Sequence, residues 1–177
     1  MTAQSNSPGE PGPFFANTTN ATTHVRVTDS AAHDVWVITA ANDYTTPTGT
    51  ILWNSTSGPT PTAAGTTSIS SFSCLREDND IGSGTSPTGC AGASFTTPTH
   101  SLATIPSAPW DLGTSIVTTG LVSSPYALVD VVKLHFAGKA QITYSSSAQE
   151  LPEPASLALL GAGLLGLGLV HRRRRTS

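Results

Sequence analysis

The chain has 177 residues, of which 11% are charged and 37% are hydrophobic. This composition disfavours the alternative of a fully disordered chain, because disorder is typical of low hydrophobicity together with a high net charge. Residues 1–153 contain eleven acidic and four basic residues, a net charge of −7 that disfavours nucleic-acid binding. The many Ser, Thr, Gly and Pro residues are instead typical of an extracellular β-protein.

The N-terminal region differs from the rest of the chain in its lack of apolar runs. Polar residues, Pro and Gly dominate it, and we predict that residues 1–20 are disordered. Its first twelve residues have neither a basic region nor an apolar core, so they do not form a secretory signal peptide.

Residues 21–147 show short runs of β-forming residues separated by turn residues, and helical periodicity is absent before residue 155. This pattern predicts an all-β domain, an antiparallel β-sandwich of jelly-roll or immunoglobulin-like form. The predicted strands are His24–Thr28, Asp34–Thr39, Thr50–Asn54, Thr67–Phe72, Ser101–Ile105, Thr114–Thr119, Tyr126–Phe136 and Ala140–Tyr144.

The clearest predicted strand is Tyr126–Phe136. Its apolar residues fall on both faces, with Leu128 and Val132 on one face and Val129 on the other. The short segment after it, residues 137–139, predicts a hairpin loop into the next strand. Residues 145–150 are small and polar, and we predict that they form a flexible linker.

One acidic segment is a candidate metal site. Glu77, Asp78 and Asp80 lie close together in a predicted loop, and carboxylate oxygens in a flexible turn suit calcium. The full EF-hand pattern is absent, so the alternative is an acidic loop that only contacts solvent. We therefore predict no metal site and keep these three residues as a weak calcium candidate.

The aromatic residues suggest one ligand contact. Trp110 lies in a loop-like segment, Ala108–Asp111, where its ring could stack on a sugar. The alternative is a ring folded back onto the edge of the sandwich. Trp36 and Trp53 lie in predicted strands, and we expect them in the core.

No motif in the chain indicates catalysis. The five histidines have no HExxH spacing, and the chain has neither a GxSxG motif nor a glycine-rich phosphate loop. Widely separated carboxylates of the kind that glycosidases use leave no pattern in a sequence. The sequence thus favours a protein that is not an enzyme and needs no cofactor.

The C-terminal region has three consecutive parts. Pro152-Glu153-Pro154 precedes a run without charged residues, 155–170, and the run is followed by Arg172, Arg173, Arg174 and Arg175. As a helix the run would span about 24 Å, close to the hydrocarbon core of about 30 Å. Four glycines would weaken it as a helix in water. We therefore predict a transmembrane helix over 155–170.

This order closely resembles the PEP-CTERM sorting domain, and residues 148–177 are assigned to it. The resemblance implies recognition by exosortase, an integral-membrane enzyme thought to cut near the Pro-Glu-Pro motif and to release or re-anchor the exported domain. Carriers are typically Gram-negative bacteria that make exopolysaccharide, biofilm or floc. Residues 124–134, SPYALVDVVKL, are also similar to the closing strands of flocculation-associated PEP-CTERM proteins.

The resemblance has consequences for the location of the chain. The arginines would stop translocation and stay in the cytoplasm, so residues 1–150 would lie outside the inner membrane. Export requires a signal peptide, and we expect one to be encoded upstream of Met1; the alternatives are that the signal has been removed or that the chain stays uninserted. In an oxidising compartment Cys74 and Cys90 would pair, whereas a reduced pair is the alternative.

Overall fold

The computed structural model describes residues 2–5, 16–46, 51–59, 67–81, 90–106 and 108–151. All regular elements in these ranges are β-strands, and they include no helix long and apolar enough to span a membrane. The predicted helix 155–170, the Pro-Glu-Pro motif and the arginines lie outside the described residues. The strands are β1 (Thr2–Ser5), β2 (Ala16–Val27), β3 (His33–Tyr44), β4 (Ile51–Gly58), β5 (Thr67–Arg76), β6 (Phe95–Thr96), β7 (His100–Leu102), β8 (Trp110–Thr118), β9 (Tyr126–Phe136) and β10 (Ala140–Leu151).

The strands form two antiparallel sheets. Sheet A has the order β1-β2-β10-β4-β8, and sheet B has the order β3-β9-β5-β6, with β7 also paired to β5. From β2 to β5, and again from β8 to β10, consecutive strands alternate between the sheets. The predicted all-β architecture of antiparallel sheets is therefore confirmed for the described residues.

Two predictions about segments flanking the strands were wrong. Within residues 1–20, predicted to be disordered, residues 2–5 form β1 and residues 16–20 begin β2, while residues 6–15 lie outside the described residues. Residues 145–150, predicted as a linker, belong to β10, which pairs with both β2 and β4. Pairing on both sides satisfies the backbone of this polar segment, so few apolar side chains are needed to keep it in a strand.

The prediction that residues 137–139 form a hairpin loop was also wrong. These residues join two sheets, because β9 pairs with β3 and β5 in sheet B while β10 lies in sheet A. The bounds of β9 itself agree with the prediction. This strand is central, and its residues 126–132 are buried on both faces, which explains why its apolar residues do not alternate cleanly with polar ones.

The space between the sheets holds two apolar clusters. One contains Val132, Leu134 and Ile142, and the other contains Leu52, Leu75 and Leu128. Because each cluster draws residues from both sheets, the sheets pack face to face. On β9, Asp130 lies between Leu128 and Val132, so the interior is polar between the two clusters.

Candidate functional site

Trp110 does not offer a sugar-stacking surface. It is the first residue of β8, is 6% exposed and belongs to the apolar cluster around Ile142. Its ring lies directly against Gly58, where a Cβ atom would clash with it. A shallow depression of about 470 Å³ adjoins the ring, but a ring so deeply buried has no free face. The prediction of a carbohydrate contact at Trp110 was therefore wrong.

The acidic segment has its carboxylates engaged by protein groups. Arg76 donates two hydrogen bonds to Asp78, at 3.1 and 2.7 Å, and its guanidinium lies 3.5 Å from Asp80. The hydrogen bonds from Arg76 lower the pKa of Asp78 to about 2. Glu77 accepts a hydrogen bond from the Ser123 backbone N–H at 2.7 Å. The three side chains therefore do not converge on a shared cation position.

The two cysteines form a disulfide, as predicted for an exported protein. Cys74 lies in β5 with its Cα atom 5.8 Å from that of Cys90. The bond holds the segment after Cys90 against the outer face of sheet B, where Ala93 packs near Val129 and Val131. This segment covers only part of that face.

The rest of the outer face of sheet B forms an open hollow of about 360 Å³. Strand register places two rows of side chains across it. The first row crosses β3, β9, β5 and β7 and consists of Trp36, Lys133, Ser70 and Ser101. The second row crosses β3, β9 and β5 and consists of Asp34, His135 and Ser68. Six of these seven residues, all except Trp36, line the hollow, and we call them the outer hollow. The small serines of β5 and β7 produce the depression beside the larger side chains of β3 and β9.

Asp34 connects the two rows electrostatically. It accepts a hydrogen bond from His135 Nδ1 at 2.7 Å, and Lys133 Nζ lies 3.2 Å from its other oxygen. The hydrogen bond from His135 is the larger cause, and that from Lys133 the smaller, of a lowered pKa of Asp34. Asp34 therefore stays ionised well into the acidic range. Because an ionised carboxylate only accepts, Nδ1 of a neutral His135 carries the hydrogen and Nε2 is left as an acceptor.

Trp36 borders the outer hollow, and the expectation that it is a core residue was wrong. It lies on the outward face of β3, half-buried, with Lys133 Nζ 5.2 Å from the centre of its ring. Trp53 is likewise half-buried on an outward-facing position of β4. In both strands the inward positions are occupied by smaller residues, such as Val35 and Leu52.

Two buried carboxyl groups escaped sequence analysis. Asp130 accepts hydrogen bonds from Asn54 Nδ2, at 2.9 Å, and from Ser146 Oγ, and burial raises its pKa to about 7. Glu150 accepts one from Thr119 Oγ1 at 2.7 Å, and burial raises its pKa to about 7 as well. An acidic residue within the apolar run of β9 was the available signal for Asp130. Neither group is accessible to a substrate.

The predicted resemblance to the PEP-CTERM sorting motif is confirmed by comparison with protein families. Residues 150–175 match a family described as the PEP-CTERM protein-sorting motif. The motif implies processing by exosortase and export to the cell surface. The match begins at Glu150, within β10, so the sorting motif follows the sandwich without an intervening linker.

Comparison with other proteins adds little about the sandwich. No curated protein matches the chain. Among solved structures, TmCBM61 in complex with beta-1,4-galactotriose is similar at 7% identity and TM-score 0.36, over 82% of this chain and 86% of that one. Infectious bursal disease virus Gx strain is similar at 7% identity and TM-score 0.37, over 76% of this chain and 32% of that one. Eiger TNF from S. frugiperda is similar at 10% identity and TM-score 0.30, over 80% of this chain and 96% of that one. TM-scores this low support no conclusion about ligands.

Proposed function

We propose that the chain is the precursor of an exported, non-enzymatic protein of the cell surface or extracellular matrix, associated with exopolysaccharide, biofilm or floc. The observation that carries this proposal is the sorting motif at residues 150–175, directly after an acidic β-sandwich. Segment 155–170 holds the precursor in the inner membrane, with the arginines on the cytoplasmic side. Exosortase then cuts near Pro152–Pro154.

A role without catalysis agrees with the placement of the ionisable groups. The carboxyl groups with the most strongly raised pKa values, Asp130 and Glu150, are enclosed between the sheets. The exposed Asp34 forms ion pairs, and the disulfide between Cys74 and Cys90 leaves neither thiol as a nucleophile. A surface or matrix role requires a stable extracellular domain, which the disulfide favours.

The alternative outcome is a single-pass membrane protein that is never processed. Both forms share the sandwich and the membrane segment, so the C-terminus of the exported product distinguishes them. Carbohydrate binding was a further alternative, but the burial of Trp110 removes the residue on which it rested.

Mass spectrometry of the exported product tests the proposal. In cells that produce exosortase, we expect a C-terminus close to residue 152 and loss of the four arginines. Deletion of exosortase should leave the full-length precursor in the membrane. An extracellular product that still ends at Ser177 would exclude exosortase cleavage.

Variants of the motif locate the recognition site. Replacing both Pro152 and Pro154 by Ala allows the backbone there to become helical, so we expect the uncleaved precursor to accumulate. The matched control is Pro106→Ala, a change at an exposed proline outside the motif. Equal cleavage of both variants would show that exosortase does not recognise the prolines.

A further inference from the structure

The outer hollow has the composition of a binding site for a hydroxyl-rich ligand. Its volume of about 360 Å³ is at the small end of the range for small-molecule sites. The outer hollow runs across four neighbouring strands, a width of about 14 Å at the usual strand spacing. The hollow is thus wide enough for more than one sugar ring. Because it is shallow, a bound polysaccharide can extend beyond it at both ends.

The polar groups of the outer hollow are mixed donors and acceptors. Asp34 only accepts, Lys133 only donates, and the serines do both. A sugar with adjacent hydroxyl groups has the same mixture, since each hydroxyl can donate to a carboxylate while accepting from an ammonium or a neighbouring hydroxyl. An apolar ligand would remove the water that contacts these groups without replacing its hydrogen bonds, at a cost in desolvation.

The positions of these groups are set before a ligand arrives. Asp34 is held by Lys133 and His135 from the neighbouring strand, and all three side chains are between about one third and one half exposed. The backbone of β9 is fixed by pairing with β3 and β5 on its two sides. Little conformational entropy is therefore lost on binding.

The charge balance favours a neutral ligand over an acidic one. Lys133 is already paired with Asp34, and residues 1–153 carry a net charge of −7. A polyanion would therefore meet repulsion from the protein as a whole. The half-buried ring of Trp36 adds an apolar border, which suits the C–H groups of a pyranose.

We propose that the outer hollow binds a neutral polysaccharide, with Asp34 and Lys133 contacting vicinal hydroxyl groups. The proposal deepens the proposed function, because it supplies the ligand through which a matrix protein would associate with exopolysaccharide. The site is separate from the buried Trp110 and lies on the opposite sheet.

Titration of the full chain with oligosaccharides tests the site. The chain is purified in a detergent without a sugar headgroup, and neutral glucan, galactan and mannan oligosaccharides are compared with oligogalacturonate by saturation-transfer NMR and calorimetry. We expect at least one neutral oligosaccharide to bind and oligogalacturonate to bind more weakly. Absence of binding by all neutral oligosaccharides at millimolar concentration, or tighter binding of oligogalacturonate, would overturn the proposal.

Variants of residues in the outer hollow test whether the oligosaccharide binds there. Asp34→Asn and Lys133→Ala should each weaken binding about tenfold, since a hydrogen bond to a charged group is lost. Ser70→Leu should block it by filling the hollow. The control is Asp29→Asn, because Asp29 and His33 form a similarly exposed pair at 2.7 Å whose residues do not line the hollow.

The result is interpretable only if the variants remain folded. Unfolding midpoints equal to that of the unaltered chain establish this, and Ser70→Leu, which leaves the charges intact, gives a second route to the same conclusion. Unchanged affinity in all three variants would show that the sugar binds elsewhere. Cleavage near Pro152–Pro154 is measured independently in cells, so failure of sugar binding leaves the sorting proposal standing, and the reverse also holds.

Discussion

Asp130 is a carboxyl group enclosed on all sides by protein. It lies on the inner face of β9, with Asn54 and Ser146 of the opposite sheet hydrogen-bonded to its two oxygens. Burial raises the pKa of Tyr144, and the charge of an ionised Asp130 adds to the increase. Burial without a cationic partner favours the neutral acid.

This environment makes the stability of the sandwich depend on pH. Asp130 has a folded pKa of about 7, whereas in the unfolded chain it ionises near pH 4. Its stabilising contribution is thus fully present below pH 4 and is lost as the pH rises to 7, at about 1.4 kcal/mol per pH unit at most. Glu150, whose pKa burial raises to about 7, likewise makes the folded state less stable as the pH rises.

The variant Asp130→Asn tests this dependence. Asn cannot ionise and has nearly the same shape, so we expect the variant to be more stable than the unaltered chain at pH 8. Near pH 5 the two should be similarly stable. Denaturant unfolding at both pH values measures the difference. A variant that is less stable than the unaltered chain at pH 8 would mean that the carboxylate form is preferred in the fold.

At the scale of elements, the disulfide joins β5 to the segment that covers part of the outer face of sheet B. It connects β5 to the residues that cover Val129 and Val131, on the outer face of sheet B. The covering segment makes a few backbone hydrogen bonds to its surroundings, including that from Ser94 to Leu75. Crosslinking therefore restricts the unfolded chain more than it adds contacts to the folded one.

Removal of the crosslink should destabilise the sandwich by about 3 kcal/mol, the value for a loop of this length. We expect the double variant Cys74→Ala/Cys90→Ala to unfold at a lower denaturant concentration. Reduction of the unaltered chain is the control, because it opens the loop without leaving a cavity at buried Cys74. Identical midpoints for the oxidised and reduced chains would show that the loop is already ordered without the bond.

The accuracy of the sequence predictions varied between elements for physical reasons. The bounds of β9 followed from a long run rich in apolar residues, and the cysteine pair followed from the inferred compartment. The strand β10 was missed beyond Tyr144 because its small polar residues are stabilised by β2 and β4, which are distant in the chain. The outer hollow was missed for the same reason, since register between strands brings its residues together.

For the whole molecule, β10 is the strand on which sheet A depends. It lies between β2 and β4, so its loss divides the sheet into two parts. We expect a chain ending at Leu151 to fold and a chain ending at Lys139 to remain unfolded. Circular dichroism and cooperative unfolding distinguish the two. Cooperative unfolding of the shorter chain would show that β2 and β4 can close the sheet by themselves.

The position of β10 also bears on the order of events during biosynthesis. It is the last of the described strands to be made, and residue 152 follows it at once. Sheet A consequently stays open until residues 140–151 have been made, which is immediately before the rest of the sorting motif. The sandwich therefore remains incomplete during the synthesis of most of its strands, and its completion and the synthesis of the sorting motif are adjacent in time.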